Sequence, residues 1–134
     1  MILVVDDQQD VAQGLVRLLQ RAGYQAEAVG DGETALRFLE HIRPEAVLLD
    51  VMMPRMDGLE VLRLIRQDAL CGDVPVVMFS ADGTEARKRE AFESGANGYL
   101  VKGMADWYDL RNYIDRTVRS QGREAGAAPL AAEA

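Results

Sequence analysis

Short apolar runs alternate with stretches of helical periodicity along nearly the whole chain, and no other feature constrains its fold so tightly. ILVV (residues 2–5) is rich in β-branched residues, and behind it Val11, Leu15, Leu18, Leu19 and Ala22 recur at helical spacing. Gly23 suits a left-handed helix end, and AEAV (26–29) alternates as a half-exposed edge strand does. Asp31 then offers an N-cap to a helix whose face is Ala35, Leu39 and Ile42. AVLL (46–49) is a third strand, followed by Asp57 and Glu60 in capping-box spacing and by Leu59, Leu62 and Ile65. VPVVMF (74–79) is a fourth strand. It leads to a weakly amphipathic helix with a thin stripe at Ala86, Ala91 and Phe92. GYLV (98–101) is the fifth strand, and Trp107, Leu110, Ile114 and Val118 mark the last helix.

Five strands alternating with five helices call for an α/β fold, a doubly wound parallel sheet with right-handed crossovers and helices on both faces. Three of the strands carry no polar alternation, as strands covered on both sides must. At 134 residues the chain fits one domain. From about Ser120 the periodicity gives way to QGREAGAAPLAAEA, a tail or linker by composition.

A net charge of −7 argues against binding nucleic acid directly, since that affinity comes from clustered Lys and Arg. One cysteine, Cys71, provides neither a disulfide nor a thiolate cage, and the single histidine, His41, reads as an ordinary exposed residue. Nothing resembles a signal peptide or a membrane span, so a cytoplasmic protein with no membrane partner is expected. Chemistry must rest on oxygen ligands and amines.

In an open parallel sheet the ligand site lies beyond the carboxyl ends of the strands. The first strand delivers Asp6 and Asp7 there, the third Asp50, the fourth Ser80 and the fifth Lys102, while the edge strand ending at Gly30 delivers nothing obvious. Three carboxylates at one rim repel one another unless a cation joins them, and a site without His or Cys suits a hard ion such as magnesium. Lys102 reads as a point charge for an anion beside that metal, and Ser80 as a hydroxyl donor to it. A carboxylate held at the mouth of a buried strand, with metal and lysine beside it, is placed to attack a phosphoryl group. That makes Asp50 the nucleophile.

LVVDDQ, VLLDVMMPRMDGLEVL, MFSAD and GYLVK resemble, in order, the successive motifs of the receiver domain of two-component response regulators, over about residues 2–119. The resemblance implies a sheet in the flavodoxin-like order 2-1-3-4-5 and a receiver domain at 1–119, with 120–134 as tail or truncated linker. It implies that Asp50 accepts a phosphoryl group from a sensor histidine kinase or histidine phosphotransfer protein. Asp7 would ligate Mg2+, or Mn2+ in its place, with Asp6 in support and Asp50 and the Met52 backbone carbonyl as further ligands. Lys102 and Ser80 would serve the phosphoryl oxygens. Ser80 would swing toward the acyl phosphate and Tyr99 rotate inward behind it, remodelling the face of the fourth helix, fifth strand and fifth helix. Such a protein is no conventional enzyme but a phosphoacceptor that assists its own phosphorylation and dephosphorylation. Its further partners would be an output domain or effector protein, or a second copy of itself.

One position departs from that family. Lys102 is followed by Gly103 where Pro is usual, and a cis bond before a non-proline residue costs about 3 kcal/mol, so a trans and more mobile loop is expected. Replacing Gly103 by Pro would then favour one loop geometry, provided the backbone there suits proline. Taken singly, Asp57 is a helix cap, Tyr99 a strand aromatic and Trp107 a packing residue. The alternative from another class is a degenerate receiver that only binds a partner or dimerises. A phosphohydrolase would want an acid at Met52, and a flavodoxin-like cofactor protein a phosphate-cradling loop where DDQQD stands.

Overall fold

A computed structural model of the chain describes residues 1–104 and 106–122. Its elements are β1 (Ile2–Val5), α1 (Gln9–Arg21), β2 (Ala26–Val29), α2 (Gly32–Leu39), β3 (Ala46–Leu49), α3 (Gly58–Gln67), β4 (Val76–Ser80), α4 (Glu85–Glu93), β5 (Gly98–Val101) and α5 (Trp107–Gly122). The strands form one parallel sheet in the order β2-β1-β3-β4-β5, as the resemblance implied.

The pleat divides each strand's side chains between two layers. Leu3, Val5, Val47, Leu49, Val76 and Met78 pack on one side with Ala35 and Leu39 of α2, with α3, and with Ala91 of α4. Ile2, Val4, Ala46, Leu48 and Val77 pack on the other against Leu15 and Leu19 of α1 and Leu110 and Ile114 of α5. Helices α1 and α3 therefore cover opposite faces beside adjacent strands β1 and β3, which opens a crevice at the carboxyl ends of those two strands. Leu59, Leu62 and Ile65 are fully buried, each contributing about 1.5–3 kcal/mol, and that burial fixes α3 over the sheet.

Caps fall where the sequence places them: Asp31 Oδ1 accepts from Thr34 N at 2.7 Å, Asp57 Oδ1 accepts from Glu60 N at 3.0 Å, and Gly23 is left-handed (φ 98°). Three details differ from expectation. Helix α2 stops at Leu39, so Ile42 lies beyond it and is 46 % exposed. Strand β4 begins at Val76, because Val74 N closes a turn onto Cys71 O and Pro75 has no N–H to donate. Of the stripe on α4 only Ala91 is buried; Ala86 and Phe92 face outward. Helix α5 runs to Gly122, and the rest of the expected tail lies outside the described residues.

Helix α4 is held largely by polar groups. Arg63 Nη2 on α3 donates to Glu90 Oε2 at 2.8 Å. Arg66 Nε and Nη2 donate to Gly95 O at 3.0 and 2.8 Å, and Nη1 to Val74 O at 2.6 Å. Its Nη2 also reaches Asn97 Oδ1 at 2.9 Å, which accepts from Val76 N as well. The turn behind α4 is thus joined to α3 and to the start of β4, at the sheet end away from the crevice.

Candidate functional site

At the crevice the strand ends bring together the residues the sequence singles out. Asp6, just past β1, is buried; its Oδ1 accepts from Gln8 N at 2.9 Å and its Oδ2 from Lys102 Nζ at 2.9 Å. Asp50, just past β3, is 5 % exposed, and its backbone N–H continues the ladder onto Val5 O. Its Oδ1 accepts from Met52 N at 3.2 Å and its Oδ2 from Lys102 Nζ, also at 3.2 Å. Lys102, at the end of β5, thereby reaches across β4, passing 5.7 Å from the Phe79 ring centroid. Asp7 points to solvent at the same rim. Met52 lies exposed beside the acceptor position.

The local sequence makes this possible. Gly58 N donates to Val51 O at 2.8 Å, drawing the start of α3 onto the backbone of Asp50. A Cβ at residue 58 would lie 2.1 Å from the Asp50 carbonyl oxygen, so only glycine lets the helix sit there. Gly103 takes φ 86° and every described peptide bond is trans, which matches the geometry expected where Pro is absent. Lys102 is delivered to the carboxylates all the same, anchored by its own N–H on Ser80 O at 2.8 Å.

Burial raises the Asp50 pKa, against the opposing pull of the Lys102 charge and the Met52 N–H. Burial alone would lower Lys102, but its hydrogen bond to Asp6 and the charges of Asp50 and Asp6 outweigh that and leave its pKa raised. The ammonium is therefore fully charged at neutral pH.

Asp6, Asp7 and Asp50 each offer a carboxylate oxygen, and these atoms lie within 4.8 Å of one another. The donor set fits a hard divalent cation. It is all oxygen, two of the three acids are buried, and one lysine leaves two negative charges without a countercharge inside the cluster.

Ser80 is fully buried at the end of β4, and its Oγ accepts from Asp82 N at 3.2 Å. Tyr99, on β5, is also buried; its hydroxyl donates to the Asp82 carbonyl, and burial raises its pKa. Asp82 is thus the common partner of both residues named as switch elements. The sequence carries Asp82 as the last residue of the MFSAD motif and gives no sign of Arg87, whose Nε donates to Asp82 Oδ2 at 3.2 Å. The D-G-T spacing at 82–84 was the available signal: Asp82 Oδ1 accepts from Thr84 N and Oγ1, and Thr84 caps α4. Asp57 and Trp107 have the bland roles read for them, a cap and a packing residue.

A doubly wound parallel sheet with acids at its switch point and a lysine crossing to meet them defines a class of aspartate-centred α/β protein. The family model for the response regulator receiver domain matches residues 2–115, and the chain belongs to that family of two-component signalling domains, a domain family that is not a conventional enzyme family. Response regulator MprA of Mycobacterium sp. (strain KMS) is 42 % identical over 104 residues, which are 78 % of this chain and 44 % of that protein. The chain accordingly spans under half the length of the curated relatives it matches. Among solved structures, the receiver domain of a signal transduction histidine kinase from Syntrophus aciditrophicus superposes with a TM-score of 0.84 at 28 % identity, covering 96 % of each chain. The receiver domain of a Pseudomonas aeruginosa sensor histidine kinase, solved with magnesium coordinated in its active site cleft, gives 0.80 at 28 % identity over 88 % of this chain and 96 % of that one. No helix among the described residues is long and apolar enough to cross a membrane.

Proposed function

We propose that the protein is a cytoplasmic phosphoacceptor whose Asp50 takes a phosphoryl group from the phosphohistidine of a sensor kinase or phosphotransfer protein. The observation that carries this reading is the single ammonium of Lys102 shared between Asp50 and Asp6 at the crevice. A carboxylate oxygen of Asp50 forms the new P–O bond as the P–N bond to the donor imidazole breaks, and that imidazole keeps the electron pair and takes up a proton. Asp7, Asp50 and the Met52 carbonyl, with Asp6 in support, are the residues that would hold Mg2+ or Mn2+. When bound, such an ion offsets charge on the phosphoryl oxygens. Lys102 stabilises the same oxygens from the other side, and the Ser80 hydroxyl donates to one of them. Tyr99 carries the change to the face formed by α4, β5 and α5, where an output domain, an effector or a second copy would read it. Delivery of Lys102 despite Gly103 supports this reading over a degenerate, binding-only receiver.

Incubation with acetyl phosphate and Mg2+ should add one phosphoryl group by intact mass, labile to hydroxylamine and absent from Asp50→Asn, because an amide is a far poorer nucleophile than a carboxylate. Full labelling of Asp50→Asn would overturn the reading.

A further inference from the structure

Asp82 is engaged at every polar atom it has. Its N–H is on Ser80 Oγ, its carbonyl receives the Tyr99 hydroxyl, Oδ1 serves the Thr84 turn and Oδ2 receives Arg87 Nε. The Thr84 contacts are local to the junction between β4 and α4. Arg87 is different, because it grips Asp82 from the body of α4 and belongs to a longer chain of charges. Its Nη1 donates to Glu90 Oε1 at 3.2 Å, and Glu90 Oε2 is held by Arg63 of α3 at 2.8 Å. Arg87 also lines the cleft beside Val51, Met52, Met53 and Asp57, next to the acceptor.

We propose that Arg87 is a positioning residue that acts through Asp82 to hold the β4–α4 junction with the Ser80 hydroxyl engaged and Tyr99 buried. The inference rests on the phosphoacceptor reading for its consequence and not for its geometry. Both partners are partly exposed, so the ion pair shifts the balance between buried and released Tyr99 by about fivefold at most. Phosphorylation of Asp50 favours the same arrangement, and linkage makes the effects reciprocal: a junction already held by Arg87 accepts the phosphoryl group faster than one that is not.

The test uses the full chain labelled with 3-fluorotyrosine, with the Tyr99 resonance assigned by Tyr99→Phe. In chelator, without phosphodonor, Arg87→Gln and Asp82→Asn should both move that resonance toward the shift of the exposed Tyr108, and Arg87→Lys should move it part of the way. Arg63→Gln, which removes bonds to Glu90 and Ser94 and leaves the Arg87–Asp82 pair intact, should leave it in place. With acetyl phosphate and Mg2+, the labelling rate of Arg87→Gln should fall by up to about fivefold while labelling still ends on Asp50. An unmoved Tyr99 resonance in Arg87→Gln, an equal movement in Arg63→Gln, or an unchanged labelling rate would overturn the proposal. A parent chain that takes no label at Asp50 would instead overturn the phosphoacceptor reading, and the resonance test stands without it.

Discussion

Lys102 Nζ lies 3.2 Å from Asp50 Oδ2, although their strands are separated by β4. The lysine's hold on Asp50 and on Asp6 makes one ammonium the protein's own countercharge to two buried carboxylates. Lys102→Ala leaves both without it. In metal-free buffer the expected loss is about 3 kcal/mol, the lower end for a broken buried pair because the rim opens to water. Urea denaturation measures it, and the deficit should shrink as acid protonates Asp50, whose pKa burial raises. A loss under about 0.5 kcal/mol would mean that water already solvates them.

The Asp50 carboxyl has its folded-state pKa raised by burial above the ordinary value of 3.8. Between those two values the folded protein binds more protons than the unfolded chain, so stability falls as pH climbs through that window and the penalty is complete above it. Asn carries no such penalty. Asp50→Asn in chelator should therefore melt higher than the parent at pH 7, with the two curves converging below pH 3.8. Equal melting temperatures at neutral pH would show that Lys102 offsets the burial completely.

Proline at residue 103 would need φ near −65°, and Gly103 stands at φ 86°. Gly103→Pro is thus expected to destabilise by more than about 1 kcal/mol and to drag Lys102 from Asp50, the reverse of the ordering that the family's usual residue would bring. Differential scanning calorimetry checks the first outcome and the rate of Asp50 labelling the second.

Arg55 adopts φ 67° in the loop between Asp50 and α3, the only non-glycine residue among those described to do so. A left-handed backbone costs an ordinary side chain about 1–2 kcal/mol, and glycine returns about half of that through the freedom of the unfolded chain. Arg55→Gly should stabilise by about 0.5–1 kcal/mol in chemical denaturation. A destabilised variant would show that the Arg55 side chain makes contacts worth more than the strain.

The strand positions and the crevice residues were legible because both follow from local pattern. An apolar run buried on two sides announces itself, and a polar residue directly after it can only stand at the rim. The unread parts depend on partners far apart in sequence. Arg66 and Arg87 look like the solvated charges of amphipathic helices, yet one gathers the backbone around Gly95 and the other grips Asp82. The Tyr24 hydroxyl bonded to Asp115 joins α5 to the start of β2, and no spacing rule connects those positions. The end of α2 was misjudged because Ile42 continues the apolar rhythm after the helix has closed at Leu39.

Arg66 has one more consequence. It pins the turn behind α4 by the Gly95 carbonyl, while along α4 itself only Ala91 is sunk into the core. The helix is built like a door with its hinge at Gly95 and its latch where Arg87 meets Asp82. Any swing leaves the far end of the sheet undisturbed and spends its whole travel at the crevice.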